Sequence, residues 1–342
     1  MKRKYDKYEY VDITSEILPF FVEATEKIKY ECNSENFLDN ISDLNNLISI
    51  GKECNTSINY NLNISILNKL VKPLTELNNM VGMENVKEQI FEQLLYYLQH
   101  LDEPNEMLHT VIQGSPGSGK TKLSMILANI YKELNILSRG HIVTAKRADL
   151  IGNYLGETSI KTQKILSNAK GGILLIDEAY SLGNPEGKDS YSKECLDTIN
   201  QFLSEHKKDF ILIIAGYEND LQKCFFKYNQ GLKRRFNWIY TIDNYDKEHL
   251  KNIFLQNVEN YNWTFQDNSF LDLFFEKNYE LFESKGGDME NLFYKCKLQY
   301  AKRIVTKKQK NDRVLKREDL ENVLEKYFTN EKKSEKNFMM YM

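Results

Sequence analysis

The 342-residue chain has little of what breaks or staples structure: 16 glycines, 5 prolines and 5 cysteines. So few glycines and prolines exclude a long flexible linker, and the chain reads as folded along most of its length. The cysteines stand at Cys32, Cys54, Cys195, Cys224 and Cys296. They form no Cys-x-x-Cys pair and their number is odd. That argues against a disulfide framework and for free thiols in a reducing cytosol. The histidines, His109 and His206 among them, show no metal-ligand spacing, so no zinc site is expected. No run approaches the roughly 20 apolar residues of a membrane span. The basic start Met1-Lys2-Arg3-Lys4 has no apolar core behind it, as a signal peptide would. The expected compartment is the cytoplasm, with no membrane contact. Charge of one sign is also missing: 46 Lys+Arg stand against 49 Asp+Glu, a net −3. A protein held on nucleic acid by charge alone would be basic, so nucleic acid is not the expected partner.

The length suffices for two or three domains with a substantial core. The most specific segment is Gly114-Ser115-Pro116-Gly117-Ser118-Gly119-Lys120-Thr121, which follows the apolar run Thr110-Val111-Ile112. This is the G-x-x-x-x-G-K-[ST] phosphate-binding loop in the setting its physics requires, after a strand and before a helix. Glycines let backbone N–H groups wrap around phosphate oxygens. Lys120 reaches the β- and γ-phosphates, and the Thr121 hydroxyl can hold Mg²⁺. The helix from Lys120 to about Leu134 adds the positive end of its dipole.

A second apolar run, Ile173-Leu174-Leu175-Ile176, ends in Asp177-Glu178. Acids at a strand end can be plain surface charges. At the carboxyl end of a parallel strand, downstream of a phosphate loop, they read as a functional pair. Asp177 then serves the Mg²⁺ shell, and Glu178 orients and deprotonates the attacking water.

Apolar runs and helical periods alternate around these motifs. Strands are expected at His109–Gln113, His141–Thr144, Gly172–Ile176, Phe210–Ala215 and Trp238–Ile242. Helices fit between them, at Lys120–Leu134, Thr158–Asn168, Tyr191–His206 and Glu218–Phe226. This is an α/β pattern with a parallel sheet covered on both faces. Residues 80–245 form this P-loop ATPase domain. A helical lid domain without strands is expected over 246–329, then a mobile tail over 330–342. Before it, Met83–Leu101 reads as an amphipathic helix with Val86, Ile90, Leu94, Leu98 and Leu101 on one stripe. Residues 1–79 read as a helical segment without chemical motifs. Gly51 suits a helix stop, and Pro73 interrupts the stripe Ile66, Leu67, Leu70, Val71. Packing and recruitment of a partner both remain open for this segment.

Taken together, these segments resemble the AAA+ ATPases of the CbbX/SpoVK type. The likeness runs from about Leu77 to Val305. It is carried by Met80-Val81-Gly82-Met83, the phosphate loop and the segment from Arg147 to Gly156. The segments Ile176–Leu182, Ala215-Gly216-Tyr217, Asn229–Phe236 and Asp243-Asn244-Tyr245 complete it. The resemblance implies ATP and Mg²⁺ as cofactors and a hexameric ring that couples hydrolysis to remodelling of a protein client. It implies that Arg235 is the arginine finger, with Arg234 beside it as fallback. It implies that Val81 and Gly82 line the adenine pocket and that Tyr154 sits on an aromatic pore loop. Flanking Gly152 and Gly156 suggest that this loop is mobile.

Two features depart from the wider pattern. Tyr217 stands where many AAA+ proteins place Asn. The second-sensor region, Gly286-Gly287-Asp288-Met289-Glu290-Asn291-Leu292, has no basic residue, so coupling between nucleotide state and lid position is either weaker or carried by other residues such as Lys285, Lys295 or Lys297. The rival readings are a nucleic-acid motor or loader on the same fold, and an ATP-gated scaffold with little turnover. The cluster Lys307, Lys308, Lys310, Arg313, Lys316 and Arg317 would serve the first, but interspersed Glu318 and Asp319 suit a solvated lid face.

Overall fold

Five short apolar runs become five parallel strands. A computed structural model describes residues 41–53, 62–103, 106–154, 156–186, 189–308 and 310–328. Expectations for Cys32, Cys54, Leu155 and the tail from 330 lie outside those residues. The strands are β1 (Thr110–Gly114), β2 (Ile142–Ala145), β3 (Ile173–Ile176), β4 (Ile211–Gly216) and β5 (Trp238–Ile242). They pair in the order β2-β3-β4-β1-β5, every ladder parallel. Side chains alternate across a strand, so each run feeds two cores. Ile112, Ile173, Leu175, Ile211, Ile213 and Ala215 enter one core, and Val111, Leu174, Ile176, Leu212 and Ile214 the other. Burial on both faces is why these strands read as continuous apolar runs rather than alternating ones.

Helices α1 (Leu44–Glu53), α2 (Ile64–Asn78), α3 (Glu84–Leu98) and α4 (Lys120–Glu133) belong to the first core. On α2, Leu67, Leu70, Leu74 and Leu77 are each 0% exposed. At roughly 1.5–3 kcal/mol for a fully buried Leu, α2 is an integral wall of the ATPase core. Two expectations for this segment are corrected by packing. Pro73 lies inside α2, and the buried Leu74 and Leu77 carry the helix past it. Gly51 lies inside α1, where a Cβ would sit 2.6 Å from Val71 Cγ2, so it serves close helix approach rather than a stop. On α3, Val86, Ile90, Leu94 and Leu98 are buried as the stripe requires, but Leu101 lies beyond the helix end and is exposed.

The second core is closed by α5 (Glu157–Ala169) and α6 (Ser190–Glu205). The helix expected at Glu218–Phe226 breaks into one helical turn, a π-helical turn Leu221–Phe225 and a 3-10 turn Phe226–Tyr228. Beyond β5 come α7 (Lys247–Asn260), α8 (Leu271–Asn278), α9 (Gly286–Thr306) and α10 (Arg317–Val323). The lid is not wholly helical. Strands β6 (Thr264–Phe265) and β7 (Val314–Leu315) form a parallel pair. Arg303 of α9 fixes this corner with a two-point bond to buried Asp319, at 3.0 and 2.9 Å, and one to the Val314 carbonyl.

Candidate functional site

The phosphate loop leaves the carboxyl end of β1 and turns into α4. Gly117 (φ +67°) and Gly119 (φ +89°) take left-handed backbone that a side chain would strain. Neither has room for one. A Cβ on Gly119 would lie 3.2 Å from the methyl carbons of Met80 and Met83, and one on Gly117 would lie 1.9 Å from the Ser284 carbonyl oxygen. The lid segment Ser284–Gly287 therefore rests on the phosphate loop, backbone against backbone. Tyr245 adds a bond from its hydroxyl to the Ser118 carbonyl at 2.7 Å.

Lys120 is buried and folds back on the loop. Its Nζ donates to the Gly114 and Ser115 carbonyls at 3.1 and 2.8 Å and lies 4.5 Å from the centre of the Tyr217 ring. Burial lowers its pKa, against the pull of Glu178 and Asp177. The Ser115 and Ser118 hydroxyls are buried without a hydrogen-bond partner. Such orphans are uncommon and fit a cradle built for phosphate oxygens.

Strand β3 delivers the acids to the same edge. Thr121 Oγ1 donates to Asp177 Oδ2 at 2.5 Å, which brings together the two side chains expected to serve Mg²⁺. Glu178 is a non-glycine residue in the left-handed region, with φ 55° and ψ 40°. Such backbone costs about 1–3 kcal/mol and is tolerated where the surroundings enforce it. Its carboxyl pKa is raised by burial and by the Asp177 charge, with Lys120 opposing. Tyr217 stacks on Tyr180, ring centres 5.2 Å apart, beside these groups.

Val81 and Gly82 line a cleft of about 470 Å³ with Asn79, Lys87, Glu248 and His249. The His249 ring closes on Gly82, where a Cβ would lie 3.1 Å from His249 Cδ2. His249 and the Tyr245 hydroxyl bond are parts of the site that sequence reasoning did not single out. Two of the candidates for the second-sensor role are engaged with aromatic rings: Lys285 Nζ sits 3.9 Å over the Tyr279 ring and Lys297 Nζ 4.9 Å over Tyr261.

Arg235 is not in this constellation. It lies three residues before Trp238, which pairs with Thr110 at the amino end of β1. The phosphate loop lies at the other end, past Gly114, which pairs with Ile242. A five-residue strand spans on the order of 15 Å, so Arg235 and Lys120 occupy opposite edges of the sheet. Arg235 is half-buried, and Arg234 is exposed.

Tyr154 is 76% exposed, and Ile160 nearby on α5 is 72% exposed. The Glu157 carboxylate accepts bonds from the Asn153 and Tyr154 N–H groups at 2.8 and 3.2 Å. Gly152 serves close approach, since a Cβ there would lie 2.7 Å from Glu157 Cβ. In the basic cluster of the lid, Lys307 pairs with Glu318 at 2.8 Å and Arg317 with Glu321 at 2.7 Å. No described helix is long and apolar enough to cross a membrane.

The ATPase family associated with various cellular activities (AAA) matches residues 110–243, from β1 to just past β5. The chain is 42% identical over 268 residues to the putative cfxQ-like protein R730 of Acanthamoeba polyphaga mimivirus, covering 77% of this chain and 66% of that protein. It is 39% identical over 168 residues to Stage V sporulation protein K of Bacillus subtilis, covering 47% and 52%. It is 36% identical over 163 residues to the chloroplastic ribulose bisphosphate carboxylase/oxygenase activase of Cyanidioschyzon merolae, covering 46% and 55%. The chain thus spans between 52% and 66% of the length of these relatives. Among solved structures, the Thermotoga maritima RuvB Holliday junction branch migration motor shares the fold, with TM-score 0.51, 18% identity, and coverage of 73% of this chain and 70% of that one.

Proposed function

Since the chain belongs to the AAA ATPases, in the branch of the CfxQ-like proteins and Stage V sporulation protein K, we propose that it hydrolyses ATP as a ring of identical subunits and uses the energy to remodel a protein client. In this reading Lys120 leaves the Gly114 and Ser115 carbonyls and turns to the β- and γ-phosphates. The two orphaned serine hydroxyls and the loop N–H groups take phosphate oxygens. Mg²⁺, held through Thr121 with Asp177 behind it, would supply charge neutralisation on those phosphates. Glu178, its carboxyl already raised toward basicity, takes the proton of the attacking water. The base of the nucleotide enters the cleft at Val81, Gly82 and His249.

One observation carries the proposal. At the edge that holds Lys120 and Glu178, Arg147 is tied to the Ser181 carbonyl and to Asp189, while Arg235, with no such ion pair, stands at the opposite edge. Arg235 cannot reach the phosphates of its own subunit, so it serves those of a neighbour, where a guanidinium neutralises charge building on the γ-phosphoryl group. Hydrolysis then depends on assembly. The protein client is supported by the exposure of Tyr154, an aromatic that can grip chain with little sequence preference. It is also supported by the relative whose name makes it an activase of another enzyme.

The test mixes two inactive variants. Arg235→Ala and Lys120→Ala are each expected to hydrolyse poorly alone. Mixed rings contain interfaces where an intact ATP site meets an intact arginine, and activity should partly return. No recovery in verified mixed rings, or full activity in a demonstrably monomeric sample, would overturn the assembly-dependent reading.

A further inference from the structure

The amino edge of the sheet holds a second feature that concerns Arg235. The Arg235 Nε donates to Asn200 Oδ1 at 2.8 Å, from the loop before β5 to α6. Among the described residues no carboxylate lies within ion-pair distance of this guanidinium, and its two terminal nitrogens make no hydrogen bond. The neighbouring His109 is unable to neutralise it. His109 is fully buried between Phe210 and Phe236, with its Nδ1 accepting the Leu212 N–H at 3.1 Å. That bond fixes Nδ1 as the unprotonated nitrogen and the ring as neutral.

A guanidinium has donors only, so the atom facing it must be an acceptor. Carboxylates are the usual choice, because they gain both a charge-assisted bond and charge balance. Asn200 supplies the acceptor without the charge. The bond engages Nε, the one nitrogen in the middle of the side chain, and stops rotation of the fork. The two terminal nitrogens are left with their donors unspent and the positive charge intact. Such an arrangement is wasteful for stability and apt for recognition of an external anion.

We propose that Asn200 is the positioning residue for the arginine finger, aiming Arg235 at the γ-phosphoryl group of the neighbouring subunit while leaving its charge uncancelled. This rests on the reading of Arg235 as acting across the interface. Asn200 touches neither nucleotide nor water itself. It acts through Arg235, by removing rotational freedom that the finger would otherwise lose on reaching the transition state.

Asparagine and aspartate differ here in a diagnostic way. A purely structural tether would be kept or strengthened by Asn200→Asp, which adds an ion pair. A tether that must spare the charge would be ruined by it. The experiment measures kcat, KM for ATP and melting temperature in the full chain for Asn200→Asp, Asn200→Leu and Arg235→Ala, and for the double variant Asn200→Leu with Arg235→Ala. Both Asn200 variants should lower kcat at least about tenfold, the scale on which a misplaced group acts, with KM and melting temperature near those of the unaltered protein. The double variant should be no slower than Arg235→Ala alone. Three results decide otherwise. If Arg235→Ala turns over normally, the finger reading fails and this inference falls with it. If Arg235→Ala is slow but both Asn200 variants match the unaltered protein, the inference alone is overturned. If Asn200→Leu is slow and Asn200→Asp is not, Asn200 is a structural tether and charge sparing is wrong.

Discussion

The two edges of the central sheet are built on opposite electrostatic terms. At the carboxyl edge, Lys120 sits near Asp177 and Glu178 and bonds to the loop's own carbonyls, beside the two unpartnered serine hydroxyls. At the amino edge, Arg235 has a neutral amide on one nitrogen and no anion at all. One edge has acids and a cradle of N–H groups for phosphate; the other has a cation with nothing to bind. Neither is complete alone, and each has what the other lacks. In the assembly proposed above, the uncompensated guanidinium of one subunit meets the phosphate loop of the next.

The comparison can be broken most severely at Lys120. Lys120→Ala should abolish measurable ATP binding in a fluorescent-nucleotide titration, because the phosphates lose their main cationic partner. Tight binding by this variant would place the nucleotide elsewhere. The next largest effect belongs to Glu178. Glu178→Gln should bind ATP and hydrolyse it at least ~100-fold more slowly, the usual scale for loss of a general base. Equal turnover would remove Glu178 from the mechanism.

A smaller effect is expected outside both edges. In Tyr154→Ala the ratio of client-stimulated to basal ATPase should fall to about one, measured with protein extracts. Loss of ATP binding instead would make Tyr154 a packing residue. In the same assay, stimulation by single-stranded DNA or RNA alone, with steep salt dependence from counterion release, would favour the nucleic-acid motor.

The smallest effect is in pH. In the proposed mechanism hydrolysis requires ionised Glu178, and burial raises its carboxyl above the ordinary 4.5. On acidification the rate should therefore fall at a higher pH than that of a free glutamate. A pH–rate profile whose acidic limb survives unchanged in the residual activity of Glu178→Gln would assign the limb to another group.

How much of this was legible beforehand varied with the physics involved. The strands could be read because burial on both faces leaves runs such as Ile173–Ile176 with no polar interruption. The phosphate loop and Asp177-Glu178 could be read because their chemistry is confined to consecutive residues. The pair β6 and β7 could not, since two residues have no period. The π turn at Leu221–Phe225 keeps apolar residues at both ends, as an α-helix would, and gives no separate signal. Gly51 and Pro73 carry no local sign of their place inside helices, because their roles depend on Val71 and on the core under Leu74, which are set by packing. Asn200 was invisible: a lone asparagine in an amphipathic helix carries no sign that an arginine 35 residues later will lean on it.

The contact between Gly117 and the lid has a mechanical side. There is no slack there: the space beyond Gly117 Cα is already filled by Ser284. The surface that receives the phosphates is also the seat of α9, a helix of 21 residues, about 30 Å long. Its interior end rests on the loop, and Arg303, near its far end, is bolted to α10 through Asp319. It is a stiff beam with one end on the phosphate loop. A rearrangement of the phosphate loop smaller than one atom's width is thus expected to appear as a larger swing at the exposed end near Val305, with no charged side chain needed to report it.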